Sequence, residues 1–87
     1  MQQFTTYIIF SESLNAYYIG FTGESVITRL TKHLSSHKGY TAKAKDWEIV
    51  YTETFNTKYE AMQREKQLKS WKSKIRIKEL IMQKIIE

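Results

Sequence analysis

The chain has 87 residues, 41% of them hydrophobic and 14% aromatic, which suits a single domain over residues 1–87 with a small core and argues against disorder. It contains no cysteine, which excludes a disulfide framework, a thiolate zinc site and a thiol nucleophile. The net charge of +5 suits a polyanionic partner, because clustered Lys and Arg release counterions from a phosphate backbone. The N-terminus shows no basic n-region and no long apolar h-region, and no apolar run approaches the roughly 20 residues of a membrane span. The expectation is a cytoplasmic protein with no membrane partner.

Residues 4–10 are β-branched and aromatic almost throughout, which predicts a strand. A polar turn over residues 11–16 leads into a second strand over residues 17–21, so the pair reads as a hairpin with a loop longer than two residues. If Tyr7 and Tyr18 lie roughly opposite each other, their side chains share one face of the sheet. Gly23 then breaks the strand. A helix follows over residues 24–37, where Val26, Ile27, Leu30 and Leu34 give an apolar stripe at helical spacing. Arg29 and His33 are four apart and stack beside that stripe.

Residues 35–45 form a polar, basic loop, expected to be mobile, and residues 46–55 alternate as a third strand with Trp47, Ile49, Tyr51 and Phe55 on one side. Thr57 and Glu60 stand at capping-box spacing and open a second helix, whose buried side carries Ala61, Met62, Leu68 and Trp71. Ser73 starts a third helix striped by Ile77, Leu80, Ile81 and Ile85. The order ββαβαα predicts an α+β fold, a small antiparallel sheet flanked by helices.

Taken singly, no residue here is diagnostic. A strand tyrosine usually packs, a helix Arg–His pair is usually a solvated face, and Glu65 has Lys69 four residues on as an ordinary partner. Glu65 is unusual in its place: Ala61, Glu65 and Leu68 follow i, i+4, i+7 spacing, so the carboxylate lies on or beside the buried stripe. There it needs an offset for lost hydration, which a divalent metal, a lysine partner or exposure at the stripe's margin would each supply.

The ordered set Tyr7-Ile8, Tyr18-Ile19-Gly20, Arg29 with His33, then Glu65 resembles the GIY-YIG nuclease family, over almost the whole chain. It looks most like the small stand-alone members, similar in layout to the N-terminal catalytic domain of the excinuclease C subunit and of GIY-YIG homing endonucleases. The stretch Glu60-Ala61-Met62-Gln63-Arg64-Glu65-Lys66-Gln67-Leu68-Lys69-Ser70-Trp71 carries more of this resemblance than the short tyrosine motifs. Thr6 departs from the pattern, standing where the motif has glycine, and its side chain is expected to point away from the Tyr7 face. The asparagine that some larger members carry after the glutamate helix is not matched.

The resemblance implies a three-stranded antiparallel sheet flanked by helices and a metal-dependent endonuclease cutting DNA phosphodiesters to a 5′-phosphate and a 3′-hydroxyl. It implies catalytic roles for Tyr7, Tyr18, Gly20, Arg29, His33 and Glu65, with Glu65 holding Mg²⁺ or Mn²⁺ and either phenol as the base, its pKa lowered by a neighbouring cation. Gly20 is expected to keep the floor beside Tyr18 clear. Lys32, Lys38, Lys43, Lys45 and Lys69 are candidates for nucleic-acid backbone contacts, although any one lysine is more often a solvated charge. The expected substrate is branched, nicked or damaged DNA chosen by structure, with a protein partner or homodimer as a source of added specificity. Two other classes stand beside this one: a non-catalytic nucleic-acid-binding module on the same scaffold, and a basic structural protein.

Overall fold

A computed structural model describes residues 2–86, with side chains described through Lys84. The elements run β1 (Phe4–Ser11), β2 (Ala16–Thr22), α1 (Val26–Ser35), a 3₁₀ turn (Tyr40–Lys43), β3 (Glu48–Phe55), α2 (Lys58–Ser70) and α3 (Lys74–Ile86). The three strands form one antiparallel sheet in the order β2-β1-β3, so the first strand lies at the centre. The predicted class and element order are those observed.

The sheet has helices on both faces, and β1 serves both with alternate residues. Ile8 packs with Tyr51, Leu68, Ile77 and Ile81 on the α2–α3 side. Tyr7 and Ile9 pack with Ala44 and Trp47 on the α1 side, against Val26, Leu30 and Leu34. The central strand is therefore almost wholly buried, with Thr6, Tyr7, Ile8 and Ile9 each at most 1% exposed.

The hairpin between β1 and β2 closes at Ser11 opposite Ala16, leaving a four-residue turn. Asn15 takes the left-handed conformation there at φ 51, which a short amide side chain tolerates, and its N–H donates to the Glu12 carbonyl at 3.1 Å. Asp46 pins this turn by accepting from Ser11 Oγ at 2.6 Å and from the Ser13 N–H at 2.8 Å.

Four expectations change. The α1 helix is shorter than predicted, running Val26–Ser35, and Ile27 lies outside its stripe at 71% exposure. The positions facing the sheet are Val26, Leu30 and Leu34, and Ile27 is one residue out of their phase. The segment after α1, expected to be mobile, is tied down: Thr41 is buried, and Trp47 Nε1–H donates to its carbonyl at 2.9 Å.

The third strand does not hold one alternation. A register shift against Ile8 and Ile9 leaves Val50 as an extra residue, so Ile8 faces Tyr51 while Ile9 faces Ile49. Ile49 with Trp47 therefore joins the α1 side and Tyr51 joins the α2–α3 side. Fourth, Tyr7 and Tyr18 are not opposite one another; Tyr7 faces Gly20 and Tyr18 faces Ile9. They still share a face, because the offset is two residues and the side-chain period is two.

In α2, the Thr57 hydroxyl caps the helix by accepting from the Glu60 N–H at 3.2 Å, as the capping-box spacing predicts. Ala61 and Leu68 are fully buried, with Met62 and Trp71 half-buried beside them. In α3, Ile77 and Ile81 are buried and Leu80 packs against their cluster, while the side chain of Ile85 lies outside the described residues.

Candidate functional site

The centre of the site is the Tyr7 phenol. It reaches across the α1 face of the sheet, and the space it occupies exists because its cross-strand neighbour is Gly20. A β-carbon at Gly20 would stand 2.6 Å from the Tyr7 hydroxyl and 2.7 Å from the ring carbon bearing it. The glycine makes room for Tyr7 rather than clearing a floor beside Tyr18. Thr6, the next residue on β1, faces the other way as expected, fully buried, and its hydroxyl donates to the Ala61 carbonyl at 2.8 Å.

Helix α1 delivers two partners to that phenol from one face. His33 is buried, with Nε2 2.8 Å from the Tyr7 hydroxyl and Nδ1 3.0 Å from Thr41 Oγ1. Arg29, one turn earlier on the same helix, brings its positive charge close to the same phenol and draws the phenol's pKa down. A neutral imidazole between these two hydroxyls donates through one ring nitrogen and accepts through the other. The polar atoms thus form one continuous line from Tyr7 through His33 to Thr41, with the Arg29 charge beside the phenol.

Burial raises the Tyr7 pKa above its usual 10.0, with Arg29 pulling it down less than burial pushes it up, and Tyr18 and Glu65 adding to the rise. The expectation of a phenol acidified by a neighbouring cation is not met for Tyr7, because desolvation outweighs the guanidinium. Burial, helped by the Arg29 charge, lowers the His33 pKa below 6.5, so the imidazole is neutral at pH 7. The Arg29 pKa is raised above its ordinary value, chiefly by the neighbouring Tyr7 phenol.

Tyr18 flanks the same imidazole edge-on, with ring centres 5.0 Å apart. Glu65 enters from α2. Its side chain is 18% exposed and its carboxylate lies 3.4 Å from Lys69 Nζ. That ammonium in turn sits 5.9 Å from the centre of the Tyr18 ring. Gly20, Arg29 and His33 therefore lie directly about the Tyr7 phenol, Tyr18 lies against His33, and Glu65 is close enough to raise the Tyr7 pKa, with Lys69 between Glu65 and Tyr18.

The other expected lysines divide. Lys43 sits 5.1 Å over the ring of Tyr40, which lies nearly parallel to Tyr18 at a centre distance of 6.3 Å. Lys32 is spent on Glu24 at 2.9 Å, and Lys45 donates to the Ser36 carbonyl at 2.8 Å. Lys38 is exposed on the loop before the 3₁₀ turn. Thr41, Tyr40 and Trp47 belong to the surroundings of the site and were not foreseen. A threonine in a polar loop gives no sign that it will orient a histidine.

Among the described residues no three or more His, Cys, Asp or Glu side chains come together as a metal cage. Glu65 offers one hard carboxylate at a half-buried margin, a donor set that fits Mg²⁺ or Mn²⁺ completed by water and phosphate oxygens, and not zinc.

This sheet, with a buried hydroxyl–imidazole pair between its central strand and α1 and a guanidinium beside it, has a counterpart among known proteins. The GIY-YIG catalytic domain model matches residues 3–79 of the chain. The chain belongs to the GIY-YIG nuclease family. It is also similar to a UPF0213 protein from Bacillus halodurans whose solution NMR structure is known, at 29% identity and a TM-score of 0.59, over 94% of this chain and 85% of that one. No curated protein matches it.

Proposed function

We propose that the protein is a metal-dependent endonuclease that hydrolyses DNA phosphodiesters, choosing substrate by structure rather than by sequence. The observation that carries this reading is the buried hydrogen bond between His33 and the Tyr7 hydroxyl, with the Arg29 charge beside that phenol and Glu65 near enough to act on it. A lone tyrosine packs; a buried tyrosine with a base on one side of its hydroxyl and a fixed cation on the other is arranged to move a proton beside an anion.

In this reading Tyr7 accepts a proton from the attacking water as it passes its own to His33 Nε2. The proton thus ends on the imidazole, which Thr41 holds in place. Tyr7 is favoured over Tyr18 as the base because Tyr7 bonds to His33 through its hydroxyl, whereas Tyr18 meets it only ring to ring. The raised pKa of Tyr7 is compatible with a phenol that never accumulates charge, since loss and gain of a proton are coupled. Arg29, with its forked and permanent charge, bears on the phosphoryl oxygens as negative charge builds there. Glu65 would hold Mg²⁺ or Mn²⁺, which when bound supplies charge stabilisation at the phosphoryl and departing oxygens.

A partner protein or a homodimer would add specificity that this small surface lacks, and a cytoplasmic location suits the cysteine-free chain. The test is nicking of supercoiled plasmid and branched DNA with Mg²⁺ or Mn²⁺, wild type beside Glu65→Ala, with circular dichroism as the check on fold. The reading expects metal-dependent nicking that the variant loses. Equal nicking by both proteins would remove Glu65 from the site.

One observation favours a second reading. The Lys69 ammonium at 3.4 Å already offsets the Glu65 charge without any metal, as a non-catalytic nucleic-acid-binding module would have it. In that case neither protein cuts and both bind DNA equally well.

A further inference from the structure

A groove of about 560 Å³ begins at Tyr18 and runs along the free edge of β2, the outer strand of the sheet. Tyr17 and Tyr18 of β2 and Tyr40 of the 3₁₀ turn line it together with Lys69, Lys72 and Lys74 from the end of α2, the α2–α3 turn and the start of α3. Lys74 bridges its far end by donating to the Asn15 carbonyl at 2.5 Å. No carboxylate lines it among the described residues, in a chain that carries nine Asp and Glu.

Two features set this groove apart from a gap in packing. Tyr40 is 43% exposed and nearly parallel to Tyr18 (17° between planes), and the flexible Lys43 ammonium is what lies 5.1 Å over its ring, a cover that an incoming base can displace toward a phosphate. Lys72 occupies left-handed backbone at φ 48 in the α2–α3 turn, where glycine or asparagine sits with less strain, and the lysine there puts a cation on the groove. Aromatic faces alternating with ammonium groups, without acids, are the chemistry of unpaired nucleotides: bases stack while phosphates are neutralised. A duplex keeps its base faces to itself and has nothing to give Tyr40. An added peptide strand would use the β2 edge but would gain nothing from three lysines.

We propose that this groove holds the single-stranded stretch of DNA adjoining the scissile phosphate, with an unpaired base stacked on Tyr40 and the following phosphates beside Lys69 and Lys72. The placement relative to the cut rests on the nuclease reading, whereas occupation of the groove does not. A flap or an unpaired tail next to a junction would then be the feature that selects the substrate.

The experiment is fluorescence anisotropy with the full chain in chelator, so that nothing is cut, on a labelled single strand, a blunt duplex and the same duplex bearing a single-stranded flap. Single strand and flap are expected to bind more tightly than blunt duplex. Tyr40→Ala should weaken flap binding on the order of tenfold and leave blunt duplex unchanged, while Tyr40→Trp keeps the preference. Lys72→Asn, which suits the left-handed backbone while removing the charge, should lower the slope of log affinity against log salt by about 0.7. Thermal melts check that the variants fold.

Blunt duplex bound as tightly as flap, or Tyr40→Ala indistinguishable from wild type on the flap, would overturn the proposal. So would no DNA binding at all, which would leave the strand edge to a protein. Adding metal separates the two ideas. A Tyr40-dependent flap preference without cleavage keeps the groove and sinks the nuclease; cleavage indifferent to flaps does the reverse.

Discussion

The Tyr7 hydroxyl and His33 Nε2 stand 2.8 Å apart and join the central strand to α1 through a buried contact. Removing the hydroxyl leaves an imidazole nitrogen with no partner in a dry place. Tyr7→Phe should therefore cost about 1–3 kcal/mol in urea denaturation, and abolish any metal-dependent nicking by the protein that remains folded. Nicking at the wild-type rate would dismiss Tyr7 as the base.

His33 makes stability depend on pH. Its folded-state pKa lies below the unfolded value of 6.5, so the unfolded chain binds the proton more readily. Its contribution to stability is complete above pH 6.5 and is lost as pH falls from there through the lower folded value. Denaturation of wild type and His33→Gln at neutral and mildly acid pH should show a steeper acid loss in the wild type. Parallel slopes would assign the acid sensitivity to other groups, such as Asp46, whose carboxyl is held low by the Ser11 and Ser13 hydrogen bonds.

Gly20→Ala should act on Tyr7. The new methyl would fall 2.6 Å from the phenol oxygen, in a buried place where neither strand can give way freely. The expected cost is about 1–3 kcal/mol, falling sharply in a Tyr7→Leu background where the ring tip is absent. Equal costs in both backgrounds would mean that the backbone, not Tyr7, needs the glycine.

Thr6 separates stability from chemistry. Thr6→Val keeps the shape but removes the side-chain donor that the Ala61 carbonyl has in addition to its own helix bond, at a cost of about 0.5–1.5 kcal/mol. Activity per folded molecule should not change, since the side chain lies on the face away from Tyr7. A loss of turnover in fully folded Thr6→Val would show that the α2 position it secures is part of the mechanism.

Arg29→Lys preserves a charge and discards the fork. If Arg29 bears on the phosphoryl oxygens, nicking should fall roughly a hundredfold to a thousandfold at saturating DNA. In the same variant the Tyr7 phenol should titrate higher still by ultraviolet absorbance, because the guanidinium now lowers it. A change in DNA affinity alone would make Arg29 a docking contact.

The element order was legible because each signal was local. A β-branched run made β1, Thr57 with Glu60 opened α2, and apolar residues at helical spacing made the stripes. The candidate site was legible through the order of Tyr7, Tyr18, Arg29, His33 and Glu65 along the chain. What escaped depends on partners distant in sequence. Val50 becomes a bulge only when β3 must serve two cores, and Thr41 meets His33 only after the 3₁₀ turn has docked under Trp47. The sign of the Tyr7 shift likewise hangs on how far burial goes, which residue types alone do not tell.

The strand order β2-β1-β3 has a consequence in time. The hairpin closes through a four-residue turn, but β1 meets β3 only after α1 and its following loop have been made, and α2 comes later still. A chain emerging from the ribosome thus presents Tyr7, Tyr18, Arg29 and His33 before Glu65 exists. In the proposed roles, the half that grips a phosphate is synthesised ahead of the half that licenses the cut. On those roles, cleavage would wait until the second half has arrived and β3 has paired with β1, because local contacts form early and distant pairings late.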